Sequence, residues 1–142
     1  MKKEIMGWET CKKEHIHQVE TDPAKIASIM KMALVRLEFL KKQKPTVQEA
    51  SILAENYYEI IKELLVALLL KNGLKSDNHE CLIAFLKEKY PKYEYEISIV
   101  YELKNIRNRI AYDGLFIEKE YFDKNKLEFE HIIQLLNKLI DE

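Results

Sequence analysis

The chain has 142 residues, 47% of them hydrophobic and 33% charged, and this is long enough to form one domain around its own core. The formal net charge of -1 excludes the strong positive field of a general nucleic-acid-binding protein, so any such binding needs a local patch. Three glycines and three prolines are too few for a many-stranded sheet and favour an all-α fold.

Residues 1–21 show no clear hydrophobic period. We predict an N-terminal arm or short helix that Trp8 packs against the rest of the protein. Possible zinc ligands occur in two groups, Cys11 with His15 and His17, and His79 with Cys81. Neither spacing matches a common zinc-finger pattern, so we predict no metal site and no cofactor and interpret these residues as surface polar groups and buried free thiols.

The sequence also predicts the compartment. No apolar segment follows the charged residues at the start of the chain, and the two cysteines are far apart. These features predict a reduced, intracellular and cytoplasmic protein. The longest apolar run, Leu64 to Leu70, is much shorter than the roughly 18 residues of a membrane-spanning helix, and it predicts a buried core segment.

Two long helices follow the arm. Asp22 and Pro23 supply an N-cap and a first-turn proline, and the helix is predicted to end near Lys42. Its buried face is predicted from alternating spacings of four and three, at Ile26, Met30, Ala33, Leu37 and Leu40. Pro45 begins the second helix, which ends at Asn72 and Gly73. Because this helix is apolar over more than half of its circumference near its end, we predict that it is central.

The next two helices are delimited by caps and prolines. Ser76, Asp77 and Asn78 can cap a short third helix, which must end by Tyr90 because Pro91 disfavours the helical conformation of the preceding residue. The fourth helix spans about Tyr93 to Tyr112, and Gly114 suits the position after its end. Its predicted buried stripe is Ile99, Leu103, Ile106 and Ile110.

The last helix follows an extended connection at residues 115–117. It runs from Asp123 or Lys124 to Ile140, with its apolar side at Phe129, Ile133, Leu136 and Ile140. We therefore predict that residues 22–142 form a single domain, an antiparallel up-and-down bundle of five helices.

Polar residues are concentrated on the fourth helix. Glu102, Asn105, Arg109 and Tyr112 are three or four residues apart and share one face. Arg107 lies about 140° around the helix from Tyr112, next to the apolar stripe, where a long charged side chain needs a partner or a cleft.

The segment Arg107-Asn108-Arg109-Ile110-Ala111-Tyr112 resembles the motif of the HEPN family, the higher-eukaryote and prokaryote nucleotide-binding domains. That motif has an arginine, a polar residue such as asparagine after it, and a histidine a few positions later near the end of the fourth helix. The resemblance extends over most of the chain through the order of the helices and the short third helix. It implies metal-independent RNA cleavage in a cleft where the motif helices of two subunits face each other.

The resemblance assigns roles to individual residues. Arg107, Asn108 and Tyr112 are the predicted catalytic residues, with Arg107 stabilising charge on phosphorus. Tyr112 stands where the family has histidine and, with an ordinary pKa of about 10, would be a weak base, which implies low or no activity. Glu102, Lys104 and Arg109 are the predicted substrate-binding residues.

The sequence thus predicts a HEPN-like homodimer that binds RNA or a nucleotide, with weak or degenerate endoribonuclease activity of the toxin-antitoxin type. One alternative is a non-catalytic dimeric adaptor or a partner of a small nucleotidyltransferase. Another is a structural bundle whose fourth helix forms the dimer contact. In these alternatives Arg107 and Arg109 make ordinary ion pairs, and Tyr112 is a half-buried aromatic residue.

Overall fold

A computed structural model describes residues 4–142, so residues 1–3 of the predicted arm lie outside the described part of the chain. The described chain is mostly helical, with six α-helices and a two-stranded antiparallel sheet. Its elements are α1 (Trp8–Glu14), β1 (Ile16–Gln18), α2 (Pro23–Lys41), α3 (Ala50–Lys71), β2 (Leu74–Ser76), α4 (His79–Lys89), α5 (Glu94–Asp113) and α6 (Lys119–Asp141). A mainly helical fold is confirmed, and α1 is the short helix that was one of the two predictions for the N-terminal arm, whereas the small sheet was not predicted.

The N-terminal segment is fixed to α4. The ring of Trp8 meets that of Phe85 edge to face, with centroids 5.6 Å apart. A disulfide joins Cys11 to Cys81, whose Cα atoms are 5.5 Å apart. The prediction of free thiols in a reduced protein is therefore wrong. The prediction rested on the separation of 70 residues between the two cysteines along the sequence. Pairing of β1 with β2 brings these two distant segments together.

The two short strands pair antiparallel, with Ile16 opposite Ser76 and Gln18 opposite Leu74. The sheet continues into the turn after α3, where the Val19 N–H donates to the Gly73 carbonyl at 2.9 Å. Gly73 has a φ of 71°, and a Cβ there would lie 3.3 Å from the Val19 carbonyl oxygen. Glycine is needed at this turn because both its backbone conformation and its close approach to Val19 disfavour a side chain.

The ends of α2 and α3 follow from capping interactions. Asp22 accepts from the Lys25 N–H at 3.1 Å, as expected for the predicted N-cap of α2. Before α3, Thr46 and Glu49 form a reciprocal capping box, in which each side chain accepts from the backbone N–H of the other. The capping box encloses a turn at residues 47–49, and regular helix begins after it, at Ala50 instead of Pro45.

The core surrounds α3, which packs against α2, α4, α5 and α6. This confirms its predicted central position. The helix α6 begins at Lys119, before the predicted Asp123 or Lys124, because Phe122 is a core residue whose ring lies 5.9 Å from that of Tyr57. Among residues 4–142, no helix combines the length and the apolar character that crossing a membrane requires.

Candidate functional site

The inward face of α5 is apolar in its first half and basic in its second. Ile97 and Val100 are buried, and the same line continues at Lys104 and Arg107, at spacings of four and three. The stripe predicted from hydrophobic spacing is right only for Leu103, since Ile99, Ile106 and Ile110 are partly exposed. A pattern based on apolar residues could not reveal that two basic side chains occupy inward positions.

Lys104 belongs to a partly buried ion pair. The residue is 7% exposed, and its Nζ donates to Glu80 Oε1 at 2.8 Å while lying 4.9 Å from the centre of the Tyr101 ring. Glu80 Oε2 accepts from the Met6 N–H at 2.7 Å. The pair thus connects the N-terminal segment, α4 and α5. The role of Lys104 in substrate binding stays a prediction, and a substrate would share the ammonium group with Glu80.

The guanidinium group of Arg107 packs against α3. It lies over the ring of Tyr58, with its central carbon 5.9 Å from the ring centroid. Its Nη1 donates to Asn108 Oδ1 at 3.4 Å, and its buried Nε has no hydrogen-bond partner among residues 4–142. Burial raises the pKa of Tyr58 to about 12, although the charge of Arg107 acts in the opposite direction. Tyr58 is therefore neutral. The Nε–H group of Arg107 is a hydrogen-bond donor for which residues 4–142 supply no acceptor.

His79, the first residue of α4, lies in the electrostatic field of Arg107. Its pKa is lowered by burial, then by the positive charges of Lys62 and Arg107, while Glu59 and Glu63 oppose the shift. Lys62 in turn contacts Glu59 at 2.7 Å and Glu63 at 3.3 Å. The lowered pKa favours the neutral form of the imidazole, and His79 is exposed, so this side chain is accessible from solvent. We call Tyr58, Lys62, His79 and Arg107 the Arg107 cluster.

The other predicted site residues lie on the outward side of α5. Arg109 is exposed, and Tyr112 is 77% exposed instead of half-buried. Glu102 is also exposed, and the pKa of Tyr121 is raised first by burial and then by the charge of this carboxylate. The structure therefore divides the predicted set: Lys104 and Arg107 face inward, whereas Glu102, Arg109 and Tyr112 face solvent. Asn108 contacts Arg107.

The possible zinc ligands have other partners. Cys11 and Cys81 are joined to each other, and Asp77 bridges two histidines, with 2.7 Å to His15 Nδ1 and 3.3 Å to His17 Nε2. These hydrogen bonds lower the pKa of Asp77. In the part of the chain that the structure describes, no group of three or more His, Cys, Asp or Glu side chains is arranged to hold a metal ion.

Three members of the Arg107 cluster could not be assigned from the sequence. Tyr58 and Lys62 are four residues apart on α3, and His79 directly follows the N-cap Asn78, which accepts from the Cys81 N–H at 3.2 Å. Spacing places Tyr58 and Lys62 on one helix face. It gives no indication that this face meets α5 beside the start of α4, because that contact depends on tertiary packing.

The chain is a mainly helical protein in which α3, α4 and α5 pack against one another, and both basic and acidic side chains lie around His79 at the start of α4. Comparison of the chain with models of known protein families, with curated proteins and with solved structures found no match.

Proposed function

We propose that this protein binds RNA or a nucleotide through the Arg107 cluster and that it cleaves RNA slowly without a metal ion. The observation that carries the proposal is the environment of Arg107, whose guanidinium group lies over Tyr58 while its buried Nε has no hydrogen-bond partner in the described part of the chain. The resemblance of residues 107–112 to the HEPN motif supports the same interpretation from the sequence.

An anionic ligand would supply a hydrogen-bond acceptor for the Nε–H group of Arg107, which has none among residues 4–142. A buried donor without a partner costs about 1–3 kcal/mol, so moving the Arg107 guanidinium towards an acceptor is favourable when the acceptor can be reached. The planar guanidinium group matches two oxygens of a phosphate, whereas the charge of Lys62 is offset by its ion pairs with Glu59 and Glu63. Phosphate is therefore the ligand group that the cluster fits best.

His79 supplies the proton acceptor that Tyr112 cannot supply efficiently. A neutral imidazole near Arg107 can take the proton of a ribose 2′-hydroxyl, whose oxygen then attacks the adjacent phosphorus. The P–O bond to the 5′ oxygen breaks, and that oxygen takes a proton from water. Arg107 would stabilise the charge on the phosphoryl oxygens, with Asn108 holding its Nη1. The exposed Tyr112 would contribute a hydrogen bond only from a second copy of the chain.

The test measures binding and cleavage of fluorescent single-stranded and structured RNA in EDTA. Arg107→Gln should weaken RNA binding at least about tenfold, as expected for loss of a charged hydrogen bond. Arg36→Gln removes the same charge from α2 and is the matched control, which should bind normally. His79→Gln should retain binding and lower the cleavage rate about a hundredfold or more. Normal RNA binding by Arg107→Gln would contradict the proposal.

A second candidate function is a non-catalytic interaction module, either a dimeric adaptor or the partner of a small nucleotidyltransferase. Exposed apolar residues on α2 favour it: Met32 and Val35 are each 53% exposed, and Phe39 is 62% exposed. Tyr112→His discriminates between the two functions. A gain of RNA cleavage supports the RNA-binding function, because it requires residue 112 to lie close to bound RNA, whereas an inert variant that also binds no RNA supports the interaction module.

A further inference from the structure

The helix α2 has an apolar surface on the side that faces away from the core. It lies at the edge of the fold and packs along α3 through Ala33, Leu37 and Leu40. Met32, Val35 and Phe39 follow a second line at spacings of three and four, and each is more than half exposed. Since one face of a surface helix normally suffices for packing, the second apolar line indicates a second partner.

We propose that this partner is α2 of a second copy of the chain, packed antiparallel. The exposed line has the heptad spacing of a two-helix seam, with Met32 and Phe39 at a positions and Ser28, Val35 and Lys42 at d positions. The 19 residues of α2 give a seam of about 28 Å. Two hollows of about 290 and 240 Å³ between α2 and α3 border this line and offer room for side chains of the second copy.

The charges that flank the seam select its direction. Lys31 and Glu38 occupy the two g positions and are both exposed, while Arg36 occupies an e position. In an antiparallel pair, g positions face each other, so Lys31 of each copy meets Glu38 of the other. In a parallel pair, g faces e of the next heptad, and Lys31 would meet Arg36. The antiparallel arrangement therefore gives two attractive contacts where the parallel one gives two repulsive contacts.

The same charges select the register. Pairing Lys31 with Glu38 places Met32 beside Val35 of the second copy and Phe39 over the small Ser28. A shift by one heptad would place Glu38 against Glu38 and Arg36 against Arg36 across the two-fold axis. Only the first register fits both the apolar line and the charges. It leaves the outward side of α5, including Tyr112, outside the interface, in contrast to the facing motif helices that the HEPN resemblance implies.

The test is sedimentation equilibrium of the full chain, and it does not depend on RNA binding. The wild-type protein should form a dimer of twice the 16.9 kDa monomer mass. Val35→Glu should weaken the dimer at least about a hundredfold, because it buries unpaired charges at the seam. Leu127→Glu on α6 and Tyr112→Glu on α5 change residues that are 76% and 77% exposed, and both controls should dimerise normally.

A charge exchange tests the direction. Lys31→Glu and Glu38→Lys should each weaken the dimer about tenfold, because either one makes both flanking contacts repulsive. The double exchange should restore the dissociation constant to within about threefold of wild type. A monomeric wild-type protein would overturn the proposal, and so would dissociation by Tyr112→Glu but not by Val35→Glu. A tighter dimer for Lys31→Glu would indicate parallel helices and would also overturn it.

Discussion

Removing the disulfide between Cys11 and Cys81 should lower the stability of the fold by an amount that follows from its loop length. The bond closes a loop with a sequence separation of 70 residues. The loss of chain entropy in the unfolded state is then worth about 4.4 kcal/mol at 25 °C. With an unfolding entropy of about 0.3 kcal/mol/K for a chain of 142 residues, this corresponds to a fall in Tm of about 15 °C.

Calorimetry on wild-type protein with and without a reductant measures this change, with the Cys11→Ala/Cys81→Ala variant in both conditions as the control. The reductant should lower the Tm of the wild-type protein and leave that of the double variant unchanged. Thiol titration in denaturant without reductant should detect no free thiol. Two reactive thiols there, or a Tm that reduction does not change, would refute the reasoning.

Three further predictions concern residues near α5. Lys104→Met should destabilise the fold by about 2 kcal/mol, because it removes a charged hydrogen bond from the partly buried Glu80 carboxylate, and Lys104→Met/Glu80→Gln should recover much of that loss in urea unfolding. Gly114→Ala should cost about 1 kcal/mol in the same assay, because φ is 67° and no atom obstructs the new methyl group. Stability should fall as the pH decreases from about 6.5 towards the lower folded-state pKa of His79, because the unfolded chain binds the proton first; this loss should be smaller for His79→Gln.

The backbone was the most predictable part of the molecule because its signals are local. Asp22 and Pro23 define the start of α2, Asn78 caps α4, and Gly114 ends α5 with positive φ, all as the sequence predicts. The start of α3 was missed although its signal was present, since Thr46 and Glu49 have the capping-box spacing.

The candidate site was predictable only on its own helix. The sequence indicates Arg107 as an unusual residue, since a long cation beside an apolar stripe needs a partner. It does not indicate His79, because nothing local shows that the start of α4 lies near Arg107. For the same reason the free-thiol prediction was wrong: the pairing of β1 with β2, which joins distant segments, brings Cys11 to Cys81.

The central claim is that Arg107 binds phosphate, and NMR of the arginine side chains tests it most directly. Arg36, Arg107 and Arg109 are the only arginines, so three Nε–H signals are expected and can be assigned by single Arg→Lys variants. The Arg107 signal should exchange slowly with water because its Nε is buried. Titration with a short RNA in EDTA should move this signal and leave that of Arg36 unchanged. A stationary Arg107 signal at an RNA concentration that saturates binding would contradict the claim.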